Sequence, residues 1–415
     1  MSCIQDECSW GRKHTMTYAY RPSRPQSGGF VQPSSRSRSF PPRSKIHPSQ
    51  YIQKAVEIIE PSLSRSQTAS SFEQLEIMPV LVENLTRRGI TEPTPIQQQI
   101  IPLLLQKRDV IGIANTGTGK TLAFLLPLMQ KIWTGQIHRV LIVAPTRELA
   151  VQIRQDVREL TTPLRLSNAL CIGGANMRQQ MQELRSNPPI VIGTPGRLKD
   201  FIQQRMLNPH HFDAIVLDEV DRMLYIGFRK EIEELLAQLP EKHLSAFFSA
   251  TVDAESESIM MRHSSNPMKI VLAANQTNTH IEQDVVKVSS MNEKIQMLHS
   301  FLSKPEFSKV IVFGRTKHGI NRLEEQLAQR GLRVCSIHGN KTQNARQKSL
   351  RLFTQGHTTA LLATDIAARG IDIDNVSHVI NFDEPQTYQD YIHRIGRTGR
   401  AGQSGKALTF IVQSR

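Results

Sequence analysis

Cysteine is scarce in this chain: four in 415 residues, at Cys3, Cys8, Cys171 and Cys335, too few and too unevenly placed for a disulfide framework. A reducing compartment suits such a chain. Cys3 and Cys8 with His14 could form part of a metal knuckle, but a structural zinc site needs about four ligands and these residues supply fewer. Long apolar runs are also missing. No run reaches the roughly 18 residues of a membrane span, and the opening MSCIQDECSW has no apolar core for a signal peptide. These absences set the expectation of a soluble intracellular protein, in the nucleus or the cytoplasm and not secreted. Acidic residues are outnumbered, 37 Asp and Glu against 51 Lys and Arg, for a formal charge of +14. That excess favours a polyanionic partner, because cations that neutralise phosphates release condensed counterions; a solvated basic surface is the alternative.

With 39% apolar and 21% charged residues the composition is globular, and at roughly 150 residues per domain it fits about two domains plus an appendage. Residues 1–70 are rich in Ser, Pro, Arg and Gln and poor in aliphatics outside Tyr51 to Ile59, so they are read as a disordered tail. Within the tail, Tyr18, Tyr20, Phe30 and Phe40 interleave with the arginines of SSRSRSF. Such a segment can stack on bases and hold phosphates, or simply solubilise.

Beyond the tail, short β-branched runs alternate with amphipathic helical stretches, the pattern of parallel sheets covered by helices on both faces. Candidate strands are Val110 to Ile113, Val140 to Val143, Ala169 to Ile172, Ile190 to Ile192, Ala214 to Leu217, Ala246 to Phe248 and Lys269 to Leu272. A polar stretch, AANQTNTH, reads as a linker over 274–282. A second series follows at Val285 to Val288, Val310 to Phe313, Val334 to Ile337, Ala360 to Leu362, His378 to Ile380 and Ala407 to Val412. The fold class is therefore α/β, with two doubly wound parallel-sheet domains at 71–273 and 283–415.

The run ANTGTGKT, Ala114 to Thr121, follows a strand and opens a helix, where backbone amides and a helix N-terminus can hold phosphates. Thr116, Gly117, Thr118 and Gly119 form the loop, Lys120 would contact the β- and γ-phosphates, and Thr121 would ligate Mg²⁺. A Gly-rich strand-to-helix turn is the bland alternative. About a hundred residues on, the strand AIVL ends in DEVD, Asp218 to Asp221, which places carboxylates at the carboxyl edge of the sheet beside that loop. There Asp218 can hold the Mg²⁺ and Glu219 can orient or deprotonate the water that attacks the γ-phosphate. In the second domain, HRIGRTGR read as a helix puts His393, Arg397 and Arg400 at i, i+4 and i+7 on one face.

From about Phe72 to Gly405 the chain resembles the DEAD-box family of superfamily 2 RNA helicases, whose motifs appear in the family's order. The resemblance implies two tandem RecA-like domains, with ATP and Mg²⁺ as cofactors and RNA as partner. It implies that Gln97, in GITEPTPIQ, reads the adenine edge while Phe72 stacks on the ring. PTRELA, containing Pro145, Thr146 and Arg147, the pair Gly173-Gly174, and TPGR (Thr194, Pro195, Gly196, Arg197) match RNA-backbone motifs. Ser249 and Thr251, in SAT, would couple hydrolysis to RNA binding through Asp221. In the second domain Arg315, Thr316, Gln343, Arg346 and Thr364 would hold RNA, while Gly370 and Asp372 would lie near the nucleotide. Arg397 and Arg400 would act on the γ-phosphate as arginine fingers, with His393 linking to Asp221.

The implied activity is RNA-stimulated ATP hydrolysis coupled to RNA clamping and local, non-processive duplex unwinding or ribonucleoprotein remodelling. An ATP-gated RNA clamp with little unwinding is the alternative. Protein partners would use the tail or the second domain's surface. The sequence departs from the family pattern at Val220, where alanine is expected, at Asn115 and at Arg315. The second domain is expected to lack its final helix and so to expose apolar surface beside KALTFIV.

Overall fold

The computed structural model describes residues 51, 71–114, 117–162, 164–251, 253–272, 281–368, 373, 375–399 and 404–413. The tail's interleaved aromatic and basic residues, Cys3, Cys8 and His14 lie outside them, as do four site candidates: Thr116, Gly370, Asp372 and Arg400.

The first lobe contains β1 (Val110–Ile113), β2 (Val140–Val143), β3 (Asn168–Cys171), β4 (Ile190–Gly193), β5 (Ala214–Leu217), β6 (Leu244–Ser249) and β7 (Met268–Val271). These strands form one parallel sheet in the order β3-β4-β2-β5-β6-β1-β7. The second lobe contains β8 (Ile281–Val288), β9 (Val310–Phe313), β10 (Val334–Ile337), β11 (Ala360–Ala363), β12 (His378–Asn381) and β13 (Gly405–Val412). Its order is β10-β11-β9-β12-β13-β8, again all parallel.

Four-residue strands such as VLIV and AIVL are buried at every position because both faces of the sheet are covered. Successive side chains alternate between faces, so Val140 and Ile142 join one core while Leu141 and Val143 join the other. The second sheet divides the same way, with Val310 and Val312 on one side and Ile311 and Phe313 on the other. At the edge, β7 leaves Met268 and Val271 exposed. Gly112 has a packing reason: a Cβ there would come within 2.8 Å of Phe248 and 2.9 Å of Ile100. Its absence lets the helix Pro95–Leu105, which carries Gln97, lie close on β1.

Three expectations need correction. β8 begins at Ile281, inside the segment read as linker, because Ile281 and Gln283 turn inward and the strand pairs with β13 from Gly405 onward. Tyr51, assigned to the disordered tail, is 1% exposed and packs on Tyr391 with ring centroids 4.9 Å apart. That contact bears on the third. Beside KALTFIV, Ala407 and Phe410 are buried: Tyr51, Tyr391, Ile395 and Ile281 cluster around Ala407, and Phe301 and Phe382 flank Phe410. Val412 is the one large apolar side chain on this strand that keeps the expected exposure.

Candidate active site

In the first sheet β6 lies between β5 and β1, so the loops leaving the carboxyl ends of all three meet at one edge. After β1, Gly117 and Gly119 adopt left-handed backbone, φ 83° and 90°, and Gly119 caps the helix Lys120–Trp133. Glycine is required at 119 twice over, by this φ and by space: a Cβ would fall 2.4 Å from Gln97 Nε2. Lys120 is buried with its Nζ donating to the Ala114 carbonyl at 2.6 Å. Thr118 and Thr121 are half-buried at the helix start, and a helix N-terminus favours an anion.

Gln97 is buried, with Oε1 accepting from the Thr94 amide at 3.0 Å and Nε2 donating to the Gly119 carbonyl at 3.0 Å. Both ends of its amide are thus engaged within the lobe, and it contacts the phosphate loop directly. Phe72 is only 1% exposed, its backbone carbonyl accepting from Leu75 and Ile77 in a tight turn. Its ring belongs to the lobe's apolar core, so adenine stacking would require it to be uncovered.

After β5 come three buried carboxylates. Glu219 has left-handed backbone (φ 54°, ψ 56°), a conformation that costs a non-glycine residue about 1 kcal/mol or more and recurs at functional turns. The neighbouring Val220 is fully buried in the core under the sheet, which explains how a β-branched residue stands in the DEVD run. Burial works to raise the Glu219 pKa, but the charges of Arg222 and Arg397 hold the carboxyl below its ordinary value. Burial pushes Asp218 up to about 7, opposed by Lys120 and reinforced by Glu219. Asp218 Oδ1 is buried without a hydrogen-bond partner among the described residues. A desolvated carboxylate oxygen with no protein partner is the kind of donor a hard divalent cation takes, so Asp218 fits Mg²⁺.

After β6, Thr251 donates to Asp221 Oδ2 from its hydroxyl at 2.8 Å and its amide at 3.0 Å, and Ser249 Oγ donates to the Thr251 carbonyl at 2.7 Å. Asp221 also shares a cleft of about 190 Å³ with Asp390 and His393 of the second lobe.

The second lobe supplies Arg397, 4% exposed, with Nε donating to the His393 carbonyl at 3.3 Å and its charge acting on Glu219. Here the one-face helix reading fails. The helix is Tyr388–Ile395, Gly396 caps it and Gly399 turns to φ 65°, so Arg397 leaves from the turn beyond the helix. Arg222, unnoticed in the sequence, donates from Nη1 to Glu219 Oε2 at 2.9 Å and from Nη2 to the Ile366 carbonyl of the second lobe at 3.0 Å.

A wider cleft of about 450 Å³ is lined by Thr146, Arg147, Gly173, Thr194 and Arg197 from the first lobe and Arg346 from the second. Thr146 and Thr194 stand at the N-termini of the helices Arg147–Thr161 and Pro195–Gln203, with Pro145 before the first and Pro195 and Gly196 opening the second. Arg147 lies over the glycine pair: a Cβ at Gly174 would be 2.4 Å from its Nη1. Arg315 and Thr316 are exposed, their amide and hydroxyl engaged with Asp383 and the Gly319 amide, and Thr364 is half-buried where β11 ends. Gln343 and Arg346 are committed elsewhere than expected. Arg346 Nη2 meets Glu148 Oε2 at 2.7 Å and Gln343 Nε2 meets Oε1 at 3.3 Å, a buried contact between lobes. Glu148, inside PTRELA, was legible only as part of that motif.

The family model described as DEAD/DEAH box helicase matches residues 94–259, and that of the helicase conserved C-terminal domain matches residues 293–402. The DEAD-box ATP-dependent RNA helicase CshA of Bacillus licheniformis is 42% identical over 343 residues, covering 82% of this chain and 70% of the relative. CshA of Bacillus subtilis is 41% identical, covering 82% and 69%. Among solved structures, S. cerevisiae Dbp5 bound to RNA and ADP BeF3 superposes with a TM-score of 0.75 at 29% identity, over 83% of this chain and 90% of that one. Mss116p bound to ssRNA and AMP-PNP gives 0.76 at 29% identity, over 87% and 78%.

Proposed function

This chain belongs to the DEAD/DEAH box helicase family and is an ATP-hydrolysing RNA helicase; from that premise we propose that it clamps RNA between its two lobes and opens short duplexes locally and non-processively. The observation that carries this reading is that Arg397, buried on the second lobe, comes near enough to Glu219 of the first for its charge to lower that carboxyl's pKa. Neither lobe alone holds both groups, so completion of the phosphoryl-transfer site depends on closure.

In the proposed site Gly117, Thr118, Gly119 and the amide end of the helix Lys120–Trp133 take the phosphates of ATP, with Thr116 in the same loop. Lys120 exchanges the Ala114 carbonyl for phosphate oxygens. Gln97 borders the adenine, as would Phe72 once its ring is uncovered, and Gly370 and Asp372 are the second lobe's candidates for the nucleotide. Thr121 and Asp218 would hold magnesium, which would supply positive charge to neutralise the phosphates of ATP. Glu219 accepts a proton from water as the water oxygen bonds to the γ-phosphorus. The bond from that phosphorus to the bridging oxygen breaks, leaving ADP and phosphate. Arg397 and Arg400 neutralise the charge spread over the transferring group.

RNA would take the wider cleft. The helix N-termini at Thr146 and Thr194, the glycine pair and the guanidiniums of Arg147 and Arg197 suit phosphates and sugars rather than bases, giving affinity without sequence reading. Arg315, Thr316 and Thr364 extend the contact, while Gln343 and Arg346 act by joining the lobes. The Asp221–Thr251 pair joins the loops after β5 and β6 at the hydrolytic edge, and its proposed role is to couple that edge to RNA binding. Because both ligands bind across the lobes, each tightens the other by linkage.

Duplex release measured beside ATP-dependent retention of single-stranded RNA tests the reading. Release of short duplexes in ATP, lost as the duplex lengthens, is expected; retention with no release at any length would leave a clamp without unwinding.

A further inference from the structure

Arg222 follows the DEVD run immediately and takes no part in the steps above. Its side chain is 4% exposed, yet it reaches both lobes. Nη1 donates to Glu219 at 2.9 Å, and Nη2 donates at 3.0 Å to the main-chain oxygen of Ile366, in the helix Asp365–Ala368 that follows β11. Glu219 caps the helix Val220–Ile226, and Arg222 in its first turn reaches back to it. The Ile366 carbonyl is held in place from its own side, since Asp365 takes a two-point contact from Arg394 at 2.6 and 2.8 Å.

The planar guanidinium presents donors in a fixed fork, so the direction of one arm determines that of the other. With the lobes together, both acceptors are present and the carboxylate is pinned. When they part, Nη2 loses the Ile366 oxygen, and with it the contact by which the second lobe fixes the direction of the fork. The fork then has reason to turn, and Glu219 loses its orientation.

We propose that Arg222 is a positioning residue that makes the orientation of Glu219 depend on lobe closure, one arm holding the carboxylate and the other reading the second lobe's main chain. The inference rests on Glu219 being the acceptor of the water proton. Its consequence is that an open enzyme with ATP bound turns over poorly, because its base is misaimed as well as lacking Arg397.

The test compares the full chain with Arg222→Lys, Arg222→Met and Glu219→Gln in RNA-stimulated ATP hydrolysis, with RNA retention in a non-hydrolysable ATP analogue as a second readout. Lysine keeps the charge but not the fork. The expected result is a kcat about tenfold or more below wild type in Arg222→Lys and lower still in Arg222→Met, with the KM for ATP within about twofold and analogue-dependent retention within about threefold. Wild-type kcat in Arg222→Lys overturns the inference. So does an equal loss of kcat and retention, which marks a merely structural arginine. If Glu219→Gln hydrolyses ATP as fast as wild type, the reading of Glu219 fails first and the role of Arg222 falls with it.

Discussion

Single residues in this chain are tuned by what surrounds them more than by their type. His378 on β12 is an example away from the active site: it is 6% exposed and stacks on Phe307 at 3.9 Å between ring centroids. Burial first, then the charge of Lys406, lowers its pKa to about 4, against the opposing pull of Glu306 and Glu282. The folded pKa lies below the ordinary histidine value of about 6.5, so the unfolded chain binds the proton more tightly. The native state therefore loses stability as pH falls from about 6.5 toward 4, by about 1–3 kcal/mol in all. His378→Phe keeps the stack and removes the titration. Thermal melts between pH 7 and 4.5 should fall less steeply in the variant; an unchanged slope would refute the assignment. Neither this histidine's environment nor that of Asp218 was legible in sequence, because burial and neighbouring charge are properties of the folded chain. The chemical identity of the DEVD acids was legible, since AIVL followed directly by carboxylates has few other readings in an α/β fold.

Among the elements, the short central strands were readable wherever a β-branched run is buried on both faces, as at β2 and β5. β8 was misread at its start because Ile281, Glu282 and Gln283 alternate inward and outward directly after a polar stretch. The end of the helix Tyr388–Ile395 was hidden for a different reason: HRIGRTGR keeps helical spacing in its charges while Gly396 and Gly399 end the helix. Tyr51 could not be found by local reasoning, for its partners Tyr391, Ile395 and Ala407 are more than three hundred residues away. The Tyr391 hydroxyl donates a hydrogen bond to Gln283 Oε1 at 2.8 Å, so the slot that receives Tyr51 is fixed from within the second lobe. Tyr51→Ala should cost about 3 kcal/mol, by analogy with other buried aromatic truncations, and lower the second lobe's unfolding temperature. A melt unchanged from wild type would show that the ring contributes nothing to the fold.

For the whole molecule, function depends on contacts that join the lobes, and these were the least legible of all. Glu148 with Arg346 and Gln343, and Arg222 with Ile366, pair positions 144 to 198 residues apart. A motif suggests that such residues matter but not which partner each meets. Glu148 and Arg346 are both nearly inaccessible, so Glu148→Ala leaves a buried guanidinium unpaired, a change that costs about 3–5 kcal/mol in comparable buried pairs. It should weaken ATP-analogue-dependent RNA retention by more than about tenfold while leaving ATP binding to the first lobe nearly intact. Retention at the wild-type level would mean that the pair does not stabilise the closed form.

Whether the two lobes complete one hydrolytic site is decided by ATP turnover with and without single-stranded RNA in wild type, Glu219→Gln and Arg397→Ala. Turnover should be strongly stimulated by RNA in wild type and lost in both variants, with Glu219→Gln still retaining RNA in an ATP analogue. RNA-stimulated turnover at the wild-type rate in Arg397→Ala would contradict a shared site, because the first lobe would then hydrolyse ATP without the arginine the second lobe brings to Glu219.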